Sequence, residues 1–191
     1  MGRYVTRTID DAEYESLVKI IRIGYTYKGI KHRPNDQVAT ILVLEGNLGC
    51  RIGDIVALRT DSFVLDGGIW KLDITEQKTG KKRNFIVPKP VKDFIDHYCQ
   101  ANGIRDGRLF DIEAHAVRKQ LRAATAYLGL ENVSCHSFRK KIACDLYEKT
   151  GHDIEAVSSF LQHSSVNVTR AYIRRSDSQL EAAISASVSL A

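Results

Sequence analysis

The spacing of apolar residues changes twice along this chain, and the change restricts the folds that it can adopt. Before residue 60, apolar residues recur every three or four positions. This predicts a first helix opened by a Thr8–Asp11 capping box and a second helix from Asp36. Between residues 62 and 87 the period shortens to the two residues of a strand, and after Lys89 the helical period returns. The pattern predicts an α+β fold, mainly α, with one small three-stranded antiparallel sheet.

Turn residues separate the predicted elements. Residues 25–35 (YTYKGIKHRPN) form a basic segment with Gly and Pro, which we expect to be a loop. A short helix is expected from about Arg51, and four further helices after Lys89. The strands are expected at 62–65, 70–75 and 84–87, joined by turns at Asp66-Gly67-Gly68 and Lys78-Thr79-Gly80.

The composition is that of a globular chain with a polyanionic partner. Its 191 residues suffice for one domain with a core, and its net charge of +5 favours nucleic acid. The four cysteines show no Cys-x-x-Cys spacing and no zinc-ligand spacing to histidine, so we expect reduced thiols and no metal. Without an apolar run of 18 residues or a signal peptide, the expected location is the cytoplasm rather than a membrane or the exterior.

Several cationic or protonatable residues and one tyrosine form a set suited to a phosphodiester. Arginine and lysine neutralise phosphate oxygens, histidine moves or donates a proton, and tyrosine can hold a phosphate covalently. His136 and Arg139 stand three positions apart, so a helix presents both from one face. The candidate residues are Arg51, Lys78, His136, Arg139, His163 and Tyr172.

Each of these segments also has a purely structural interpretation. The His136 segment can be a solvated helix start, and Lys78 can belong to an exposed turn whose neighbours, Lys81 to Arg83, contact a DNA backbone. Arg51 can pair with Asp54 on its own helix, which would also hold the guanidinium in place. Tyr172 can be a core tyrosine, although flanking arginines are unusual for a core position.

Five segments in order resemble the boxes of the tyrosine recombinase, or phage integrase, family in its catalytic domain. Asp54 stands where that family usually has glutamate. The resemblance runs from about Thr8 to Arg175. Its segments are LGCRIGD at 48–54, KTG at 78–80 ahead of RNFIVP at 83–88, HSFR at 136–139, LQHSS at 161–165 and TRAY at 169–172.

The resemblance implies a site-specific recombinase that cleaves and rejoins double-stranded DNA through a 3′-phosphotyrosyl intermediate at Tyr172. It implies that Arg51 and Arg139 bind the phosphate, that the two histidines assist the phenol, and that Lys78 protonates the leaving 5′-oxygen. No cofactor, ATP or Mg²⁺ is expected, and no small-molecule substrate. The expected assembly is a homotetramer on DNA, associated with the nucleoid.

Alternative functions remain open at this point. A type IB topoisomerase shares most of this residue set, and a DNA-binding regulator would have lost part of it. A metal-dependent nuclease would need clustered carboxylates, which the sequence lacks. The chain can be the catalytic domain of a longer protein or a single-domain recombinase resembling fimbrial phase-switch proteins.

The predicted division is a catalytic domain at 1–175 and a helical tail at 176–191. Leu180, Ile184 and Val188 recur every four residues in that tail, forming a narrow apolar stripe. The tail either folds back on its own domain or docks on a neighbouring protomer, as the resemblance implies.

Overall fold

The first helix, α1 (Asp11–Ile23), begins at a capping box, but not the predicted one. Asp10 is the N-cap, its side chain accepts the Glu13 N–H, and the Glu13 carboxylate accepts the Asp10 N–H. The Thr8–Asp11 pairing was therefore wrong by two residues, because Asp10 offers a capping carboxylate two positions closer to the helix. Leu17, Val18 and Ile21 form its buried face, as their spacing predicted.

The segment predicted as a loop at 25–35 contains a hairpin. Strands β1 (Tyr25–Tyr27) and β2 (Ile30–His32) pair antiparallel through a two-residue turn at Lys28 and Gly29. Both turn residues have positive φ, 48° and 76°, which is the geometry of a tight hairpin turn. Lysine rarely adopts this conformation, so the sequence carried a weak turn signal.

Helix α2 (Asp36–Leu48) is the central element of the core. Val38, Ile41, Leu42, Leu44 and Leu48 are all fully buried, and burial extends around most of the helix. A helix surrounded by protein is apolar on every side, which explains its weak periodicity. At Gly46 an added Cβ would lie 3.0 Å from the Tyr14 ring, so the glycine lets α1 pack closely on α2.

A short helix, a 3₁₀ turn and the predicted sheet follow. The sheet order is β3-β4-β5, antiparallel throughout, and Leu72 at its centre pairs with Phe63 and Phe85. Each strand was predicted to within two residues. The elements are α3 (Ile52–Val56), the 3₁₀ turn Thr60–Ser62, β3 (Phe63–Asp66), β4 (Ile69–Thr75) and β5 (Lys82–Ile86).

The elements that follow β5 in the described chain are helices, and the predicted fold class is confirmed. The computed structural model describes residues 6–173 and Ser185, so the predicted tail lies outside the described residues except for Ser185. The helices are α4 (Lys89–Ala101), α5 (Ala114–Tyr127), α6 (Cys135–Lys149), α7 (Ile154–Leu161) and α8 (Val166–Tyr172).

The chain divides into two compact units, Met1–Ile142 and Ala143–Ala191. The first unit has a core built around α2, on which α1, α3 and α4 pack. The second has a small core of Ala143, Val157 and Leu161, against which Tyr172 and other partly buried side chains pack. In the part of the chain that the structure describes, no helix is long and apolar enough to cross a membrane.

We predict that Leu42→Ala lowers the free energy of unfolding by about 2–5 kcal/mol, because it leaves a cavity at a fully buried position. Urea unfolding followed by circular dichroism measures the change. Ile30→Ala is the matched control, since Ile30 is 63% exposed, and should change the same quantity by less than about 0.5 kcal/mol. Equal losses in the two variants would contradict the position of the core.

Candidate active site

Arg51 lies at the junction between α2 and α3. Helix α2 ends at Gly49, whose left-handed backbone (φ 57°) turns the chain, and Arg51 is the N-cap of α3 with extended backbone. Glycine is required here because other residues adopt that conformation at a cost. The turn directs the Arg51 side chain away from the core, where it retains 22% of its exposure.

Arg51 pairs with Glu76 rather than with Asp54. Its Nη1 donates to Glu76 Oε2 at 2.5 Å, and Glu76 is fully buried at the end of β4. Asp54 instead accepts the backbone N–H of Gln77 at 2.9 Å, which ties α3 to the turn after β4. The expectation that Asp54 holds the guanidinium was therefore wrong, because its carboxylate is used by the backbone of the turn.

Two fully buried arginines donate to the carbonyls at the end of α2. Arg139, on α6, donates from Nη1 to the Gly49 carbonyl at 2.5 Å. Arg83, on β5, donates from Nη2 to the Leu48 carbonyl at 3.0 Å, and its guanidinium carbon lies 4.6 Å from the centre of the Phe85 ring. Arg83 was expected to contact a DNA backbone, but its burial assigns it to the interior.

Lys78 lies on the exposed turn between β4 and β5, as predicted. The backbone closes this turn, since the Glu76 N–H donates to the Lys81 carbonyl at 2.9 Å and the Gly80 N–H to the Glu76 carbonyl at 2.8 Å. The Thr79 hydroxyl adds a bond to Glu76 Oε2 at 2.8 Å. The turn that carries Lys78 is therefore anchored to the same carboxylate as Arg51.

His136 lies on the first turn of α6, three residues before Arg139, and more than a third of its surface is exposed. Desolvation of the ring lowers its pKa below the usual 6.5, and the positive charges of Arg139, Arg51 and Lys78 lower it further. Since all three cations act on one imidazole, the four residues share one electrostatic neighbourhood. An anion bound there would raise the pKa again.

Glu45, one turn before Gly49, is fully buried beside this cluster. Neither of its carboxylate oxygens makes a hydrogen bond in the described residues. Burial raises the pKa of Glu45 well above its usual range, although the charges of Arg139 and Arg118 act in the opposite direction. Burial therefore disfavours the charged form of this carboxyl more than the neighbouring arginines favour it.

His163 and Tyr172 belong to the second unit and lie close together within it. Helix α7 ends at Gln162, which adopts the left-handed conformation (φ 51°), and the His163 N–H donates back to the Ser158 carbonyl. The His163 ring centre lies 4.7 Å from that of Tyr172, with Nδ1 2.9 Å from the Thr169 hydroxyl. The buried Thr169 therefore orients the histidine beside the phenol.

A model of the phage integrase family matches residues 7–179. The chain belongs to the phage integrase family. Among curated proteins, it is 30% identical over 136 residues to "Probable integrase/recombinase YoeC" of Bacillus subtilis, a match that covers 66% of this chain and 71% of YoeC.

Solved structures of integrases share the fold. The catalytic domain of bacteriophage HP1 integrase superimposes with a TM-score of 0.63 at 18% identity, covering 94% of each chain. A lambda integrase tetramer bound to a Holliday junction gives a TM-score of 0.68 at 18% identity, covering 93% of this chain. This chain matches only 52% of that lambda integrase chain. The fold is therefore that of a tyrosine-recombinase catalytic domain.

The structure places four of the six predicted site residues in the first unit and the other two in the second. Arg51 and Arg139 lie at the end of α2 and, together with Lys78, act on the charge of His136. His163 and Tyr172 are adjacent in unit 143–191. Sequence reasoning missed Glu76. Its signal was alternation along β4, where Leu72, Ile74 and Glu76 share the inward-facing parity. Among the described residues, no group of three His, Cys, Asp or Glu could hold a metal ion.

We predict that Lys78→Ala raises the pKa of His136 toward 6.5, because one of the charges that destabilise the imidazolium is removed. Histidine-ring NMR across a pH titration measures this value, and Lys31→Ala, in the other hairpin, is the control. In the wild type, His136 binds more protons in the unfolded state than in the folded state just below pH 6.5. Acidification through this range should therefore reduce the contribution of His136 to the free energy of unfolding. A His136 pKa that does not change in Lys78→Ala contradicts the shared neighbourhood.

Proposed function

We propose that this protein is a site-specific DNA recombinase that breaks and rejoins DNA through a covalent link at Tyr172. The observation that carries the proposal is the match to the phage integrase family over residues 7–179, which includes all six candidate residues. The electrostatic neighbourhood shared by Arg51, Lys78, His136 and Arg139 supports it, because a phosphodiester anion fits such a place.

Arg51 and Arg139 bind the non-bridging oxygens in this proposal and stabilise the charge of the five-coordinate transition state. Guanidinium groups suit this task because their donors form a planar fork that matches two oxygens. Both are held by the protein before substrate arrives, Arg51 by Glu76 and Arg139 by the Gly49 carbonyl. A preorganised donor costs little reorganisation when the charge develops.

Proton transfer accompanies each bond change. The Tyr172 oxygen attacks phosphorus as its proton leaves, and a phenol with a reference pKa of about 10 needs help at neutral pH. His163 is the nearest candidate, since its ring lies edge-on to the Tyr172 ring. The bond from phosphorus to the 5′-oxygen breaks, and Lys78 supplies a proton to that oxygen. Rejoining reverses these steps, and the retained bond energy makes ATP unnecessary.

Double-stranded DNA is the proposed substrate, with a homotetramer as the working assembly. The solved lambda integrase tetramer on a Holliday junction supports this assembly by analogy of fold. The catalytic domain is assigned to residues 1–175. The segment 176–191 is proposed to contact a neighbouring protomer, as its apolar stripe favours.

We predict that Tyr172→Phe forms no covalent adduct with a nicked suicide duplex, whereas the wild type forms one with or without EDTA. Only the nucleophilic oxygen is lost, so the fold and DNA binding should be retained. Tyr147→Phe is the matched control, because Tyr147 also packs against the core of the second unit and should leave adduct formation unchanged. Denaturing gel electrophoresis detects the adduct. Wild-type adduct levels in Tyr172→Phe would assign the nucleophile elsewhere.

A further inference from the structure

Three described side chains contact the Glu76 carboxylate, and only one of them, Arg51, is a predicted site residue. Its Oε2 accepts Arg51 Nη1 at 2.5 Å and the Thr79 hydroxyl at 2.8 Å, and its Oε1 lies 3.3 Å from Arg83 Nη1. The carboxylate itself is fully buried. A buried carboxylate is costly unless it is paired and hydrogen-bonded, so this arrangement is a specific one.

The surroundings keep Glu76 ionised. Burial alone would raise its pKa, but hydrogen bonds from Thr79 and Arg51, together with the charges of Arg51 and Arg83, lower the pKa below its usual value. The carboxylate therefore holds a fixed negative charge next to Arg51. It can fix the direction of the guanidinium while other donors of the fork remain directed elsewhere.

The same carboxylate controls the turn that carries Lys78. Thr79 follows Lys78 directly, and its hydroxyl shares Oε2 with Arg51. Backbone hydrogen bonds from Glu76 to Lys81 and from Gly80 to Glu76 close the turn. The Asp54 carboxylate also holds the turn, because it accepts the Gln77 N–H. Glu76 Oε2 thus links the turn that carries Lys78 to Arg51.

We propose that Glu76 is a positioning residue that holds Arg51 and the Lys78 turn in a single productive geometry. This inference rests on the proposed recombinase function. Glu76 itself touches no reacting atom in the proposal. It acts through Arg51, whose guanidinium it orients, and through Thr79, which fixes the turn.

Glu76→Gln tests whether Glu76 orients Arg51, because it keeps the shape of the side chain and removes its charge. We expect single-turnover cleavage of the suicide duplex to fall by about 10- to 100-fold, the scale of a misplaced catalytic group, with unchanged DNA affinity. Glu13→Gln is the matched control. It removes a comparable ion pair, Arg7–Glu13 at 2.6 Å, from α1 and should leave the cleavage rate unchanged.

A double variant separates positioning from a general loss of stability. On a 5′-bridging phosphorothiolate substrate, whose sulfur leaves without a proton from Lys78, only the effect through Arg51 remains. There, adding Glu76→Gln to Arg51→Lys should cost less than about threefold further, because the oriented fork is already gone. If Glu76 only stabilises the fold, the two losses should multiply. Multiplied losses, or a wild-type rate in Glu76→Gln, overturn the inference.

Thr79→Val tests whether the bond from Thr79 to Glu76 fixes the Lys78 turn. The change does not disturb the core, because Thr79 is exposed. We expect slower cleavage that a 5′-bridging phosphorothiolate restores, since sulfur leaves without needing a proton from Lys78. The same substrate should rescue Glu76→Gln only in part. If Thr79→Val cleaves slowly without rescue, or as fast as the wild type, the role of the turn in the proposal is wrong. This result stands even if Glu76→Gln fails to fold. If the wild type itself forms no adduct, the proposed function fails first.

Discussion

The carbonyl groups that end α2 are the point on which the cationic site depends. A helix leaves its last carbonyls without partners, and its C-terminal end attracts positive charge. Here Leu48 and Gly49 receive Arg83 from β5 and Arg139 from α6, both fully buried. The sheet and α6 are thereby fixed to one helix end. Because Arg51 leaves the same junction, its position depends on this helix end as well.

Much of this fold follows from short-range patterns. The helical spacing of Leu17, Val18 and Ile21 and the period-two spacing around Leu72 correctly predicted α1 and the sheet. Gly49 marked the end of α2 because its positive φ suits glycine. The order of the boxes proposed six site residues, of which Arg51 and Arg139 lie at that end. These features depend on neighbours a few positions apart, which a sequence displays directly.

The partners of charged side chains could not be predicted in the same way. Arg51 selects Glu76, 25 positions away, over Asp54, because the folded turn after β4 occupies Asp54 with a backbone N–H. Arg83 looked like an exposed cation in a run of three, yet it is buried because its strand parity points inward. The N-cap of α1 is a similar case, because Asp10 rather than Thr8 lies where its side chain can accept the N–H of the first turn. Each choice depends on which group the fold brings closest.

The identity of the residue that carries DNA tests the central proposal most directly. Wild-type protein trapped on a nicked suicide duplex in EDTA would be digested with protease and nuclease, and the modified peptide sequenced by mass spectrometry. The account predicts a nucleoside 3′-phosphate on the peptide that contains Tyr172, and a free 5′-hydroxyl on the other DNA end. A modification at another residue, a 5′-phosphate end, or cleavage that requires a divalent metal would contradict it.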